Sequence, residues 1–178
     1  PEEIKIMTEG GAKLRRVKNA LKEAVKIGVN AMEIENLANE LIAKEGAESA
    51  FKKVEGYSWS TCINRNEGVV HGIPKTEMVF VDGDIVSVDV GLYFKGFHTD
   101  CSFSKGIDVD SQTQKFLETG REALKKAISA TVVGNRIYDI SEAIEKTVVA
   151  GDYKPIRALV GHGVGRELHE DPQIPCFL

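Results

Sequence analysis

The stretch that decides the fold is "SVDVGLYFKGFHTDCSF", residues 87–103. Apolar, aromatic and β-branched residues alternate with polar ones on both sides of Lys95-Gly96. Alternation with a period of two is typical of β-strands, and a two-residue connection ending in glycine is typical of a tight hairpin turn. The sequence therefore predicts two antiparallel strands joined at Lys95-Gly96.

Each strand of this hairpin carries an aspartate. With Lys95-Gly96 as the turn, Gly91 lies opposite Asp100, and Asp89 lies opposite Ser102 two residues further along. Strand alternation puts both aspartates on one face, as diagonal neighbours with Cβ atoms about 7–8 Å apart. Gly91 is expected to leave room for Asp100.

Two carboxylates on a half-buried face repel each other and lose hydration unless a positive group joins them. Two interpretations stay open on these residues alone. Each aspartate caps a backbone group or faces solvent, or the two together bind divalent metal ions, for which hard oxygen ligands on rigid strands are suited.

The histidines favour the metal. Of the four in the chain, three lie in segments punctuated by glycine or proline: His71 in "VVHGIP", His162 in "VGHGVG" and His169 in "ELHEDP". Glycines on both sides of His162 permit the unusual dihedrals that a ligand loop needs. His98 shares the face of Asp100, and its role stays open between packing and a hydrogen bond to a ligand. The spacing matches no compact motif such as HExxH, so the residues alone indicate a carboxylate–histidine metallohydrolase.

The surrounding segments predict an α+β chain. Amphipathic helices are expected at residues 3–27 and from Asn30 to about Lys44, the second opened by a capping box between Asn30 and Glu33. Strands are expected between residues 54 and 104. Two more helices are marked by apolar residues at helical spacing: Phe116, Gly120, Leu124, Ala127 and Ile128 for the third, and Ile137, Ile140, Ile144 and Val148 for the fourth.

Helix, helix and strands thus occur twice along the chain. This order predicts a single domain over residues 1–178, made of duplicated halves at about 1–106 and 107–178, with the second half lacking its closing strands.

Composition excludes several classes of protein. The net charge of −4 gives no pull toward nucleic acid or an anionic membrane. No apolar run approaches the ~18 residues of a spanning helix, and the amino terminus is charged from its second residue, unlike a secretory signal. The three cysteines match no disulfide framework or CxxC metal motif, which favours a reducing cytoplasm.

At three places the sequence resembles one family. "DIVSVDVGLYFKGFHTDCSFS", "VVHGIP" and "LVGHGVGRELHEDPQIP" are similar to motifs of methionine aminopeptidase, bacterial type I, which has the pita-bread fold. The three motifs occur in the family's order, and the resemblance runs from the first helix to the last residue.

The resemblance implies a role for each matching residue. Asp89 corresponds to a ligand of one metal ion, Asp100 to the aspartate that bridges two metals, and His162 to the histidine ligand. His169 corresponds to the histidine that contacts the scissile carbonyl oxygen, and His71 to the histidine near the scissile amide.

The family's methionine pocket is matched by Tyr57 and Cys62, with Trp59 close by. Leu168 stands where many members have phenylalanine, a departure that should change packing more than chemistry.

The implied activity is removal of the initiator methionine from nascent polypeptides at the ribosome, in the cytoplasm, when the second residue is small. Two divalent metal ions would activate the attacking water. Mixed Asp, Glu and His ligands accept Mn, Fe, Co, Ni or Zn, so the sequence does not select the metal.

The chain also departs from the family in its metal ligands. The family has two further glutamate ligands nearer the carboxyl terminus, one of them the general base, and residues 1–178 include neither. Glu167 and Glu170 belong to the matched segment "GRELHEDP" and do not replace them. We therefore expect an incomplete aminopeptidase that, taken alone, binds metal weakly and hydrolyses slowly or not at all. Unfinished sheet edges would favour self-association.

Two alternatives come from the same fold. Aminopeptidase P, proline dipeptidase and creatine amidinohydrolase usually carry an extra amino-terminal domain, whereas this chain starts with the first helix. A non-catalytic binding module would generally have lost the metal ligands, and Asp89, Asp100 and His162 are retained.

Overall fold

The computed structural model describes residues 1–178 and divides into two units. The first unit comprises Pro1–Val109 and Val164–Leu168, and the second comprises Asp110–Gly163 and His169–Leu178. The expected order of elements is observed in each unit taken by itself: two helices come first and strands follow. The single domain with duplicated halves stays a prediction.

The first unit begins with helices α1, Glu2–Ala24, and α2, Ala31–Lys44. The predicted capping box is confirmed, because the Asn30 side chain accepts a hydrogen bond from the Glu33 backbone and the Glu33 carboxylate accepts one from the Asn30 backbone. Helix α1 ends earlier than the predicted residue 27, since Val25 adopts an extended backbone.

A four-stranded antiparallel sheet follows in this unit. Its strands are β1 (Glu48–Ser49), β2 (Thr61–Arg65), β3 (Ile85–Phe94) and β4 (Phe97–Gly106), with a short 3₁₀ helix at Phe51–Lys53. Strands β1 and β2 pair one after the other along one edge of β3, and β4 pairs along the whole of its other edge. Strand β3 is therefore the centre of the sheet.

The two faces of β3 have different surroundings. Its even-numbered residues, Val86, Val88, Val90, Leu92 and Phe94, belong to the main hydrophobic core with α1 and α2. The helices contribute Leu14, Val17, Leu21, Ile34, Ala38 and Ile42 to this core. Because side chains alternate along a strand, Ser87, Asp89 and Gly91 lie on the opposite face. The aspartate is thereby kept out of the main core.

The predicted hairpin is confirmed. Phe94 pairs with Phe97 across Lys95-Gly96, and both turn residues have positive φ angles, 49° and 90°. Positive φ at both central positions is the geometry of a type I′ turn, whose twist matches that of the flanking strands. This turn fixes the register of the whole hairpin.

The second unit contains helices α3, Ser111–Ala130, and α4, Ile137–Ala150, and the antiparallel strands β5, Val160–Gly163, and β6, Glu170–Pro175. Helix α3 is capped by Asp110, whose carboxylate accepts a hydrogen bond of 2.7 Å from the Thr113 backbone. Both helices lie where the apolar spacing predicted them.

None of the four helices combines the length and the apolar content that crossing a membrane requires.

Gly91 is needed by the packing of this sheet. A Cβ atom there would lie 2.7 Å from Phe51 Cε1 and 2.8 Å from Ala50 Cβ. The closest neighbours are thus Phe51 and Ala50, not Asp100 as expected from the sequence. The missing side chain makes room for the 3₁₀ segment that packs over the strand.

We expect Gly91→Ala to destabilise the fold by about 1–3 kcal/mol, because the added methyl group overpacks a site without space for it. Urea denaturation measures the change. Gly11→Ala is the matched control, since nothing lies within 4 Å of a Cβ at that position. In the interior of α1 it should stabilise by roughly 0.5–1 kcal/mol. Equal stability of Gly91→Ala and the wild type would contradict this account of the packing.

Candidate active site

The two aspartates of the hairpin lie as the register predicted. Asp89 pairs with Ser102, and Gly91 pairs with Asp100, so the carboxylates are diagonal neighbours on one face of β3 and β4. Both side chains are half-buried. The pKa of Asp89 is raised, first by burial and then by the charge of Asp100 and a hydrogen bond with it, while the Val90 backbone acts in the opposite direction. Without a metal, the repulsion between the two carboxylates is relieved when Asp89 keeps its proton. A cation bound on this face would relieve the same repulsion.

A small apolar cluster lies beside the carboxylates. Cys62 and Leu168 are buried in it, with Ala50, Phe51 and part of Tyr57. Three of the four predicted pocket residues therefore come together in the first unit. Trp59 joins them through Tyr57, the two ring centroids lying 5.6 Å apart in an edge-on arrangement.

Polar contacts hold the Tyr57 side chain in this cluster. Its hydroxyl donates a hydrogen bond of 2.7 Å to the Thr61 carbonyl and lies 3.1 Å from Cys62 Sγ. Burial raises the pKa of both Tyr57 and Cys62, and the charge of Asp89 raises each further. The charge of Asp89 reaches Cys62 because the two residues are directly opposite each other on the paired strands β2 and β3.

His71 lies on an exposed loop of the first unit and has a φ angle of 57°. The loop is held against β2 by a hydrogen bond of 2.8 Å from the Ile63 backbone to the Gly72 carbonyl. A Cβ atom at Gly72 would lie 2.0 Å from the Ile63 carbonyl oxygen, so only glycine permits this approach. The residue beside His71 thus fixes the path of its loop.

His162 and His169 come together in the second unit, with ring centroids 4.5 Å apart. His162 Nδ1 lies 2.9 Å from the Gly163 carbonyl oxygen. Because a carbonyl oxygen only accepts, Nδ1 carries the hydrogen, and in the neutral ring Nε2 carries the lone pair. In this tautomer Nε2 is the ring nitrogen that can bind a metal ion.

His98, whose role the sequence left open, packs against Tyr93 in the first unit. Its side chain is 5% exposed. The ring lies 4.8 Å from that of Tyr93, and its backbone N–H donates a hydrogen bond of 2.6 Å to the Gly165 carbonyl.

Within either unit, no group of three or more His, Cys, Asp or Glu side chains is close enough to hold a metal ion. The first unit offers the carboxylate pair and the second offers the two histidines. The catalytic and ligand roles of these residues stay predictions.

The sequence patterns did not single out one buried polar residue of this region, Glu35. Glu35 of α2 is 3% exposed, and its carboxylate is hydrogen-bonded to the start of β2. A signal was present, because Glu35 follows the helical spacing of the buried residues Ala38 and Ile42. A charged residue on an apolar stripe is unusual enough to suggest a specific partner.

Comparison with protein families decides the relationship. The model of metallopeptidase family M24 matches residues 5–176. The chain belongs to metallopeptidase family M24. Methionine aminopeptidase from Clostridium perfringens is 39% identical over 176 residues, which are 98% of this chain and 70% of that protein. Methionine aminopeptidase 1 from Bacillus subtilis is 38% identical over 178 residues, which are 99% of this chain and 71% of that protein.

Solved structures of M24 peptidases agree with the fold. The crystal structure of methionine aminopeptidase from Thermotoga maritima superimposes with a TM-score of 0.96 at 40% identity, covering 99% of this chain and 72% of that one. Prolidase from Pyrococcus furiosus has a TM-score of 0.79 at 24% identity, covering 99% and 51% respectively, and shows likeness of fold alone. The predicted pita-bread fold and the resemblance to methionine aminopeptidase are confirmed, and family membership makes this chain a metallopeptidase, a hydrolase that uses divalent metal.

The carboxylate pair predicts a pH dependence of stability. Folded Asp89 holds its proton more tightly than it does in the unfolded chain, where the pKa of aspartate is about 3.9. Above that pH the folded state binds more protons, so the free energy of unfolding falls as pH rises through the window up to the raised pKa of Asp89. In Asp100→Asn the neighbouring charge is removed, and this fall should be smaller by roughly 1 kcal/mol.

Urea denaturation between pH 4 and pH 8, with EDTA present, measures this difference. The variant and the wild type should converge at the acid end and separate toward neutral pH. Asp82→Asn removes the same charge from an exposed position of the same unit and serves as the control. Parallel curves for Asp100→Asn and the wild type would show that the two carboxylates do not interact.

Proposed function

We propose that this M24 peptidase is a methionine aminopeptidase, which hydrolyses the peptide bond after an amino-terminal methionine when the second residue is small. The observation that carries the proposal is the pairing of Cys62 with Asp89. It sets an apolar cluster directly beside a carboxylate pair within one sheet. Hydrolysis at a methionine needs both features, a slot for an unbranched thioether and ligands for a cation.

Asp89 and Asp100 are proposed to hold two divalent ions between them, Asp89 as a ligand of one and Asp100 as the bridge. Their fit to a cation is supported by the diagonal placement of the two carboxylates on one face and by the raised pKa of Asp89, which burial and then the charge of Asp100 cause. His162 is proposed as a further ligand through Nε2, on the sequence resemblance and on its tautomer. These ligands accept Mn, Fe, Co, Ni or Zn.

When bound, such ions lower the pKa of a shared water toward neutrality and polarise the scissile carbonyl group. His169 is proposed to donate a hydrogen bond to the oxyanion that develops on that carbonyl. His71 is proposed to lie near the scissile amide and the second residue of the substrate. Both assignments come from the sequence resemblance.

The methionine side chain is proposed to bind in the cluster of Tyr57, Cys62 and Leu168, with Trp59 at its side. Burial keeps the Tyr57 hydroxyl and the Cys62 thiol protonated at neutral pH, because it raises the pKa of each. An uncharged, weakly polar lining suits the polarisable sulfur of methionine. The substrates would be nascent polypeptides leaving the ribosome in the cytoplasm.

Methionine release from Met-Ala-Ser in the presence of Mn(II) or Co(II) tests the proposal. We expect slow release by the wild type, a loss of more than about 100-fold in Asp100→Ala because a shared ligand is removed, and wild-type release by Asp82→Asn. Ala-Pro-Ala, the substrate type of proline-specific relatives of the same fold, should not be cleaved. Faster hydrolysis of Ala-Pro-Ala than of Met-Ala-Ser, or release that is equal in Asp100→Ala and the wild type, would contradict the proposal.

A further inference from the structure

The carboxylate of Glu35 is buried between α2 and the start of β2, where it accepts four hydrogen bonds. Its Oε1 accepts one of 2.8 Å from the Ser60 backbone and one of 2.8 Å from Asn39 Nδ2. Its Oε2 accepts one of 2.9 Å from the Thr61 backbone and one of 2.7 Å from the Thr61 hydroxyl. One donor belongs to α2 and three belong to Ser60 and Thr61, so the carboxylate fixes the position and orientation of these two residues against the helix.

A second layer of hydrogen bonds holds Asn39 in turn. Its Oδ1 accepts a hydrogen bond of 2.9 Å from the Ser60 hydroxyl and one of 2.6 Å from Lys52 Nζ. Every member of the network is thereby restrained by another member, which rigidifies a buried polar cluster beyond what single pairs achieve.

Stability alone does not explain a charge at this position. Taking a carboxylate out of water is costly, and well-packed apolar side chains are often equally stabilising. What the carboxylate supplies is a defined conformation for the chain that it binds. The relevant question is which side chains depend on that conformation.

Tyr57 is the one that depends on it most directly. Its hydroxyl donates to the carbonyl of Thr61, the residue whose N–H and hydroxyl are both bound by Glu35. The same hydroxyl contacts Cys62, the next residue of β2. A shift of Thr61 would therefore move both Tyr57 and Cys62, two walls of the apolar cluster. None of the four hydrogen bonds of Glu35 goes to Asp89 or Asp100, so the carboxylate pair is not held by this network.

We propose that Glu35 is a positioning residue for the methionine subsite: through Thr61 it sets the place of Tyr57 and so the selectivity for an unbranched side chain. This inference rests on the proposed function, since the cluster is a subsite only if methionine binds there. It assigns selectivity to a residue of α2 that does not itself line the apolar cluster.

Glu35→Gln is the sharpest substitution, because it keeps the shape of the side chain and replaces one acceptor oxygen with an NH₂ group that faces donors. For Met-Ala-Ser with Mn(II) or Co(II), KM should rise by about tenfold, because the methionine side chain is bound less well. The value of kcat should stay within about twofold of the wild type, because the reacting groups are unchanged. The preference for Met-Ala-Ser over Leu-Ala-Ser should fall by about tenfold.

Glu33→Gln is the matched control. It makes the same substitution two residues away on the same helix and affects only the cap at Asn30. Its KM and selectivity should equal those of the wild type. Glu35→Asp, which keeps the charge on a shorter side chain, should recover part of the lost selectivity.

A double-mutant cycle separates positioning from general destabilisation. Tyr57→Phe removes the hydroxyl that donates a hydrogen bond to the Thr61 carbonyl. Glu35→Gln should therefore raise KM much less in that background than in the wild type. A merely structural effect of Glu35→Gln would instead be the same in both backgrounds. If Glu35→Gln fails to fold, Thr61→Val removes one of the four donors and should show a smaller change of KM in the same direction.

The fluorescence of Trp59 provides a readout that needs no catalysis. It is the only tryptophan of the chain and packs edge-on against Tyr57. Glu35→Gln should shift its emission to longer wavelength and increase its quenching by acrylamide, whereas Glu33→Gln should not.

The two failures are distinguishable. If the wild type releases no methionine, the proposed function fails, and the Trp59 comparison still decides whether Glu35 positions the cluster. If the wild type releases methionine but folded Glu35→Gln has unchanged KM, selectivity and Trp59 emission, the proposed role of Glu35 is overturned.

Discussion

The pairing of β3 with β4 is the constraint on which the first unit depends. The type I′ turn at Lys95-Gly96 fixes a register in which the core residues of β3 face the helices. The same register leaves Asp89, Gly91 and Asp100 on the other face. A slip of one residue would exchange the two faces, sending carboxylates into the core and valines out of it. Hydrophobic burial thus enforces the geometry of a polar site that contributes nothing to the core.

The carboxylate pair lowers the stability of the metal-free fold. Burial and the charge of Asp100 both favour the protonated form of Asp89, so the ionised pair is held against its own repulsion. Strands that are locked by a core on one face can tolerate this cost on the other. Family M24 uses divalent metal, and a cation at this face would reverse the sign of the electrostatic interaction.

Buried Glu35 and half-buried Asp89 differ in how their charge is satisfied. Glu35 is surrounded by four donors from the protein itself, so its charge is compensated within the fold. Asp89 has another carboxylate as its neighbour, whose charge adds to burial in raising the pKa of Asp89. The first arrangement fixes a conformation, whereas the second would favour a cation bound beside the two carboxylates. Both residues contact β2: Glu35 binds Thr61, and Asp89 lies opposite Cys62, the next residue of that strand.

The sequence by itself determined the local part of this structure. The capping box at Asn30, the turn at Lys95-Gly96 and the diagonal relation of Asp89 to Asp100 all follow from the spacing of nearby residues, because turn chemistry and strand alternation are short-range. The resemblance at three motifs added the family. These elements are where the predictions from sequence and the observed fold agree.

Only the tertiary structure decided which distant residues meet. The burial of Glu35 against Thr61, the packing of Phe51 over Gly91 and the approach of Gly72 to Ile63 join segments that lie 9 to 40 residues apart. No local pattern encodes such contacts, since they arise from how α2, the 3₁₀ segment and a loop settle on the sheet. The face that carries Asp89 and Asp100 could be located from the hairpin, but the residue proposed to set selectivity became visible only when α2 was packed against β2.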